Sequence, residues 1–206
     1  MTCSVKSKEL VEQIQNSHRI AVAFYRRILP LFDAIADAFN CEFAYWEPIE
    51  TQRPCRSGSQ PSKYWAWDYV PLFASNHCYF RQAGSKASPE DLAFEFNLYI
   101  DENFKEEKRK ELKLSNGRQP GAITLEKGRA IVDVYIFKPR EAAKRSFDHL
   151  WSKCDPAPIG TEKFKDVGHG IDAVAFEVLL EELVTDHHVV IEKISRLLKE
   201  SVEEKG

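Results

Sequence analysis

The sequence predicts an α+β fold, in which a mostly antiparallel sheet of about five strands is flanked by a long N-terminal helical segment and a long C-terminal helix. Apolar residues recur three and four positions apart near both ends of the chain, which is the stripe of an amphipathic helix. Between the ends, apolar and polar residues alternate in short runs typical of strands. Single strands do not alternate with crossover helices, so helices segregated onto an antiparallel sheet are favoured over a doubly wound sheet.

Length and composition narrow the class of protein. The 206 residues predict one domain, 1–206, with an irregular loop at about 49–62. The hydrophobic content of 43% and charged content of 30% are those of a globular protein. The first residues lack a secretory leader and no apolar run has membrane length, so we expect a cytoplasmic protein without membrane contact. The net charge of -3 gives no general attraction for nucleic acid.

The cysteines predict reduced thiols. Their number, five, is odd, they lie far apart, and no C-x-x-C pair occurs. In a chain of this length that pattern fits a reducing compartment better than a disulfide framework, and it disfavours zinc. The sequence therefore predicts neither a metal site nor a cofactor.

The N-terminal stripe predicts a helix from about Ser7 to Asn40. Pro30 interrupts it, and because proline removes a donor and clashes with the preceding turn, we expect a kink or two helices joined near Leu29. The helix is predicted to end at Asn40, since Asn tolerates the left-handed conformation that closes helices.

Four strands are predicted next, at 41–46, 64–70, 72–81 and 92–101. The first stops at Glu47-Pro48, because proline cannot donate to a ladder. The last competes with a helix beginning at Ser88-Pro89, but Phe94 and Leu98 would leave the apolar face of such a helix, so the strand is preferred.

The second half is predicted to mix helices with a hairpin. A solvated helix is predicted at 101–113, where acidic and basic residues are mixed. A hairpin is predicted from strands at 122–125 and 129–138, and a short helix at 141–153. Residues from Ile171 to about Glu203 are predicted to form the second long helix. Its wide stripe covers the sheet or, alternatively, forms a homodimer seam.

Aromatic residues concentrate between Phe43 and Phe80, which hold ten of the twenty-four in the chain. Basic residues are interleaved with them, and the candidate binding residues are Arg53, Arg56, Lys63, Trp65 and Trp67. Trp, Tyr and Arg are the usual anchors of protein interfaces, so a protein partner is preferred. Stacked bases of a nucleic acid and a purely structural core are the alternatives.

Two acidic residues flanked by apolar neighbours form the candidate catalytic pair. Glu95 and Asp133 lie on predicted strands, and pairing in the right register would let them hold a divalent metal or act as acid and base. A solvated sheet face is the plainer interpretation. Asp186-His187-His188 offers ligand atoms, but His187 falls in the apolar stripe and no H-E-x-x-H pattern occurs.

The function predicted from sequence is therefore a non-catalytic module that binds another macromolecule through an aromatic and arginine-bearing surface. A metal-dependent phosphodiester hydrolase using Glu95 and Asp133, or a protein that binds a small ligand between the sheet and the long helix, are the alternatives. No motif in the sequence decides whether the protein is an enzyme.

Overall fold

A computed structural model describes residues 5–113, 120–121 and 124–203 of the protein. Six strands form one antiparallel sheet in the order β1-β2-β3-β4-β6-β5. The strands are β1 (Glu42–Pro48), β2 (Ala74–Arg81), β3 (Leu92–Tyr99), β4 (Ile131–Pro139), β5 (Lys165–Asp166) and β6 (Ile171–Leu179). This architecture confirms the predicted α+β class, with six strands instead of about five.

Helices occupy both ends of the chain and the connections between strands. They are α1 (Val5–Asp37), α2 (Glu106–Glu111), α3 (Phe147–Trp151), α4 (Leu180–Thr185) and α5 (His188–Glu203), with short 3-10 turns at Pro61–Lys63, Ala66–Tyr69 and Glu102–Phe104. Among the described helices, none is both long enough and apolar enough to cross a membrane.

Helix α1 continues through Pro30 as one helix of 33 residues. Pro30 is exposed, and the first half of the helix, residues 6–20, is exposed at every position. The helix ends as predicted: Asn40 has a φ of 55°, and the Cys41 backbone N–H donates to the Ala36 carbonyl oxygen.

Three predicted strands are confirmed as β1, β2 and β3. Strand β1 lies at the edge of the sheet and ends at Pro48. Proline is tolerated on an edge strand because the backbone N–H that it lacks is not needed on the unpaired side. Its register with β2 shifts between Phe43 and Tyr45, which is a bulge. The charged run also forms the predicted helix in part, as α2 with its Lys110–Glu106 ion pair.

The strand predicted at 64–70 is wrong. Tyr64 closes the 3-10 turn Pro61–Lys63, and the stretch continues into a second 3-10 turn, Ala66–Tyr69. The buried Asp68 carboxylate accepts the Gln52 backbone N–H at 2.9 Å, and Trp67 packs on Phe73 and Phe104. The alternation of residue types therefore reflects aromatic packing from a turn and not a pleated strand.

The long helix predicted from Ile171 is wrong in its first third. Residues Ile171–Leu179 form β6, and only then do α4 and α5 follow. Residues 171–176 are buried without exception, because helices cover one face of β6 and the second cluster described below covers the other. A strand buried on both faces is continuously apolar, and periodicity alone does not distinguish it from a buried helix.

Two further predictions change. The short helix predicted at 141–153 is reduced to α3, although Phe147, Leu150 and Trp151 do pack on the sheet. In the predicted hairpin, residues 122–123 lie outside the described residues, and Thr124 to Ala130 form no strand. The second predicted strand, 129–138, is confirmed as β4, which pairs with β3 and β6.

The two faces of the sheet are covered differently. On the first, helices α1, α4 and α5 pack with the strands into one continuous apolar core that includes Phe32, Phe96 and Ile194. On the second, two separate clusters lie at opposite ends of the strands. One contains Phe137 and the α3 residue Trp151, and the other contains Tyr99 and Phe104.

Candidate functional site

A row of polar side chains crosses the second face of the sheet between its two apolar clusters. The cross-strand partners run in register from one strand to the next as Glu47, Asn76, Asn97, Asp133 and Glu177. We call these five residues the polar row. Directly opposite residues in an antiparallel pair share a face and lie within about 5.5 Å of each other at Cβ. Five strands thus each contribute one polar residue.

Asp133 is the most buried member of the row, with 2% of its surface exposed. Its Oδ2 accepts a 2.5 Å hydrogen bond from Lys105 Nζ, and the same ammonium lies 4.6 Å from the centre of the Tyr99 ring. Burial raises the pKa of Asp133, and Lys105 opposes this rise. The ammonium therefore sits where a metal ion bound by Asp133 would compete with it.

Glu95 lies on the same face but in the next row, opposite Tyr135, and so diagonal to Asp133. It accepts a 3.1 Å hydrogen bond from Trp151 Nε1. Burial raises the pKa of Glu95 to about 7, and the Trp151 donor and nearby Glu47 act in opposite directions on it. The structure places the predicted pair on one face, but each carboxylate has its own partner.

Two oxygens of the row are buried and have no donor among the described residues: Asn97 Oδ1 and Asp133 Oδ1. They belong to cross-strand partners of β3 and β4. Because buried polar atoms are usually hydrogen-bonded, this is where water or a polar ligand would be accommodated on the sheet.

The edge strand β1 exposes three large aromatic side chains. Phe43 is 52% exposed, Tyr45 45% and Trp46 36%. Within the described part of the chain, no strand pairs with the outer edge of β1. An edge of this kind carries unpaired backbone donors and acceptors and is a template for another strand.

A cavity of about 310 Å³ opens beside this edge on the helical face of the sheet. Its lining is Leu29, Asp33, Phe43, Trp46, Leu72, His77 and Tyr79. The Tyr79 hydroxyl donates to Asp33 Oδ1 at 2.7 Å, and burial lowers the pKa of His77 to about 4, so the imidazole is neutral at pH 7. The cavity is therefore mainly apolar, with an acidic group at its wall.

The five predicted binding residues do not form one surface. The Arg53 guanidinium lies 5.9 Å from the centre of the Trp46 ring, which joins the loop to the β1 edge. Arg56 and Lys63 are exposed and Trp65 is half-buried. Trp67 is partly buried against the core cluster that contains Phe104, and its Nε1 donates to the Pro120 carbonyl oxygen at 2.8 Å, so this residue serves packing.

A larger groove lies between β6 and the helices α4 and α5. Its main cavity measures about 750 Å³ and adjoins a second of about 490 Å³, the two sharing Phe176 and Lys193. Glu181, Glu182 and Asp186 make its α4 end acidic. We call the combined cavity the α5 groove.

One group of three possible metal ligands occurs among the described residues, Asp186, His187 and His188, with ligand atoms within 4.8 Å of one another. Asp186 Oδ1 also accepts the His188 backbone N–H at 3.0 Å. This contact closes a turn just before α5, which gives Asp186 a structural role.

Sequence reasoning found Asp133, and Glu95 in the adjacent row, but missed Glu47, Asn76 and Glu177 of the polar row. Glu177 was missed because β6 was read as a helix, in which alternate residues do not share a face. Had 171–179 been read as a strand, the placement of Glu177 between Phe176 and Val178 would have resembled that of Asp133 between Val132 and Val134.

Comparison with known proteins gives the family of the chain. Searches of curated proteins and of solved structures found no match. A protein-family model described as PM0109 matches residues 6–205. Because the match spans nearly the whole sequence, the chain belongs to the PM0109 family.

Proposed function

We propose that the protein is a protein-binding module whose docking surface is the outer edge of strand β1. The observation that carries the proposal is the exposure of Phe43, Tyr45 and Trp46 on an edge strand beside a cavity large enough for one or two side chains. Exposed aromatic anchors around a pocket are typical of interface hot spots.

The occupant we propose is an extended peptide segment that adds a strand to β1. In this mode the backbone hydrogen bonds supply affinity, and pockets that receive alternate side chains supply specificity. The apolar lining of the cavity favours an apolar or aromatic anchor. Glu42 and Glu47 on β1, together with Asp33 in the cavity wall, favour basic residues beside that anchor.

The loop residues extend this surface. The Arg53 guanidinium lies 5.9 Å from the centre of the Trp46 ring, beside the cavity, while Arg56, Lys63 and Trp65 form the periphery of the surface in our proposal. The acidic character of β1 favours a protein over a nucleic acid, since phosphates would be repelled there. The four described cysteines are all free, two of them buried, which supports a cytoplasmic location as part of the proposal.

The metal-dependent hydrolase has less support. The Lys105 ammonium already neutralises Asp133, and Glu95 is hydrogen-bonded to Trp151 instead of sharing a site with Asp133.

The test is selection of peptides from a phage-displayed library on the wild-type protein, followed by calorimetry of a selected peptide with three variants. Trp46→Ala and Phe43→Ala are expected to weaken binding at least tenfold, which corresponds to about 1.4 kcal/mol. Tyr64→Ala is the matched control, because Tyr64 is 44% exposed but does not line the cavity.

Hydrogen exchange of the complex distinguishes strand addition from other modes. Amides of β1 are expected to gain protection when the peptide binds. Selected peptides that bind Trp46→Ala as tightly as wild type, or protection confined to other segments, would contradict the proposal.

A further inference from the structure

The first half of α1 is exposed to solvent along its whole length in the described structure. Residues 6–20, which we call the arm, are exposed at every position, including Leu10 at 57%, Val11 at 53% and Ile14 at 49%. A helix of about 15 residues is marginal in water without packing. The arm therefore presents an apolar stripe that would be stabilised by packing against another surface.

The stripe has a defined charge pattern. Successive residues of a helix are rotated by about 100°, which places Leu10, Val11 and Ile14 on one side. Lys6 and Lys8 flank this side near the start of the helix, whereas Glu9 and Glu12 lie on the opposite side. A surface that receives the stripe thus meets apolar side chains with lysines at one end.

The α4 half of the α5 groove has the complementary character. It is lined by the buried Phe176 and Val190 and by Val189, which is 60% exposed, and Lys193 Nζ lies 4.0 Å from the centre of the Phe176 ring. Its α4 end carries Glu181, Glu182 and Asp186. An amphipathic helix laid in the groove with Lys6 and Lys8 toward α4 pairs apolar with apolar and basic with acidic.

The lengths are comparable. The α5 residues that line the groove run from Val189 to Glu200, which is 11 residue steps or about 16 Å of helix at 1.5 Å per residue. The arm runs from Lys6 to Ile20, which is 14 steps or about 21 Å. Because α1 is continuous through Asp37, the arm cannot fold back into the groove of its own molecule without breaking the helix.

We propose that the arm of α1 docks in the α5 groove of a second copy of the chain, so that the protein is a homodimer with exchanged arms. Two-fold symmetry places each arm in the other copy's groove, so every contact forms twice. This interface is separate from the β1 edge and does not depend on the function proposed there.

The test is the mass of the full chain in solution, measured by light scattering after size exclusion. Wild type is expected at twice 23.7 kDa. Ile14→Asp in the arm and Val189→Asp at the groove are each expected to give a folded monomer of 23.7 kDa. Circular dichroism at the same concentration confirms that the variants remain folded.

Matched controls exist on both elements. Asn16→Asp adds the same charge on the far side of the arm, and Val202→Asp does so at an exposed position of α5 away from the groove lining. Both are expected to remain dimeric. A monomeric wild type at about 50 µM, or a Val189→Asp variant that dimerises as wild type does, overturns the proposal.

A photo-crosslinking residue at position 14 identifies the occupant directly. The expected product is a covalent dimer whose linked peptide comes from α4 or α5. A dimer linked only from arm to arm would show that two arms pair with each other and would overturn the exchange.

Discussion

The two faces of the sheet differ in how their side chains are arranged, because one is built on a continuous apolar core and the other is divided by polar residues. The helical face is one continuous apolar core, in which the Phe32 and Phe96 rings stack with centroids 5.1 Å apart and planes 4° apart. The second face has two smaller apolar clusters separated by the polar row. The stability of the first face therefore depends on side-chain shape and packing density. The stability of the second depends on whether each buried polar group has a hydrogen-bond or ionic partner.

The largest effect is expected on the helical face. Phe96→Ala removes a fully buried ring and should lower the free energy of unfolding by about 3 to 5 kcal/mol, since it loses buried area and leaves a cavity. Urea unfolding followed by circular dichroism measures it. Phe43→Ala, at a 52% exposed position, is the matched control and should cost under about 1 kcal/mol. Equal losses in both variants would remove the distinction between core and edge.

The next largest effect is expected at the polar row. Lys105→Met removes the ammonium that pairs with the buried Asp133 carboxylate. The free energy of unfolding at pH 8 should fall by about 3 kcal/mol, because an uncompensated charge is left inside the protein. Burial already raises the pKa of Asp133, and loss of Lys105 raises it further, so the cost should shrink at pH 5 as the carboxyl takes up a proton.

Lys108→Met is the control for this variant, since the Lys108–Glu111 pair is exposed and should contribute under about 1 kcal/mol. A pH-independent loss in Lys105→Met would mean that the lysine acts through its contact with the Tyr99 ring and not through the carboxylate.

The smallest effect is expected at Glu95. Its pKa is raised by burial from its ordinary value of 4.5 to about 7, so the folded protein holds a proton that the unfolded chain releases in this range. The wild-type free energy of unfolding should therefore fall as pH rises from about 4.5 to above 7. Glu95→Gln removes this dependence while its amide oxygen can still accept from Trp151.

The stability difference between Glu95→Gln and wild type should thus shift in favour of the variant by about 2 kcal/mol between pH 5 and pH 8, given about 1.4 kcal/mol per pKa unit and partial exposure of the side chain. Unfolding curves at the two pH values measure it. A constant difference would show that Glu95 titrates at its ordinary pKa.

Local signals predicted the elements whose geometry is fixed within a few residues. The stripe of α1 with its Asn40 end, the stop of β1 at Pro48 and the alternation of β3 were all read correctly from sequence, because each reflects a dihedral preference or a single covered face. Alternation along each strand predicted that Glu95 and Asp133 point away from their apolar neighbours, but whether they share a face depended on the register of β3 with β4, which the structure supplies.

The predictions that were wrong concern segments whose surroundings are supplied by residues distant in the sequence. Trp67 alternates with its neighbours as a strand residue would, yet its ring packs on Phe73 and Phe104, which the chain brings together only after folding. Residues of β6 are apolar on both faces because two layers cover them, and that cover is not recorded in their own spacing.

The sequence by itself thus determined the α+β class, the amphipathic helices at both ends and the concentration of aromatic residues near β1. Only the tertiary structure decided which aromatics are buried, which strands align their polar residues into one row, and that the arm of α1 is exposed. The physical reason is that periodicity reports which side of an element is apolar, while burial and charge pairing depend on what packs against that side.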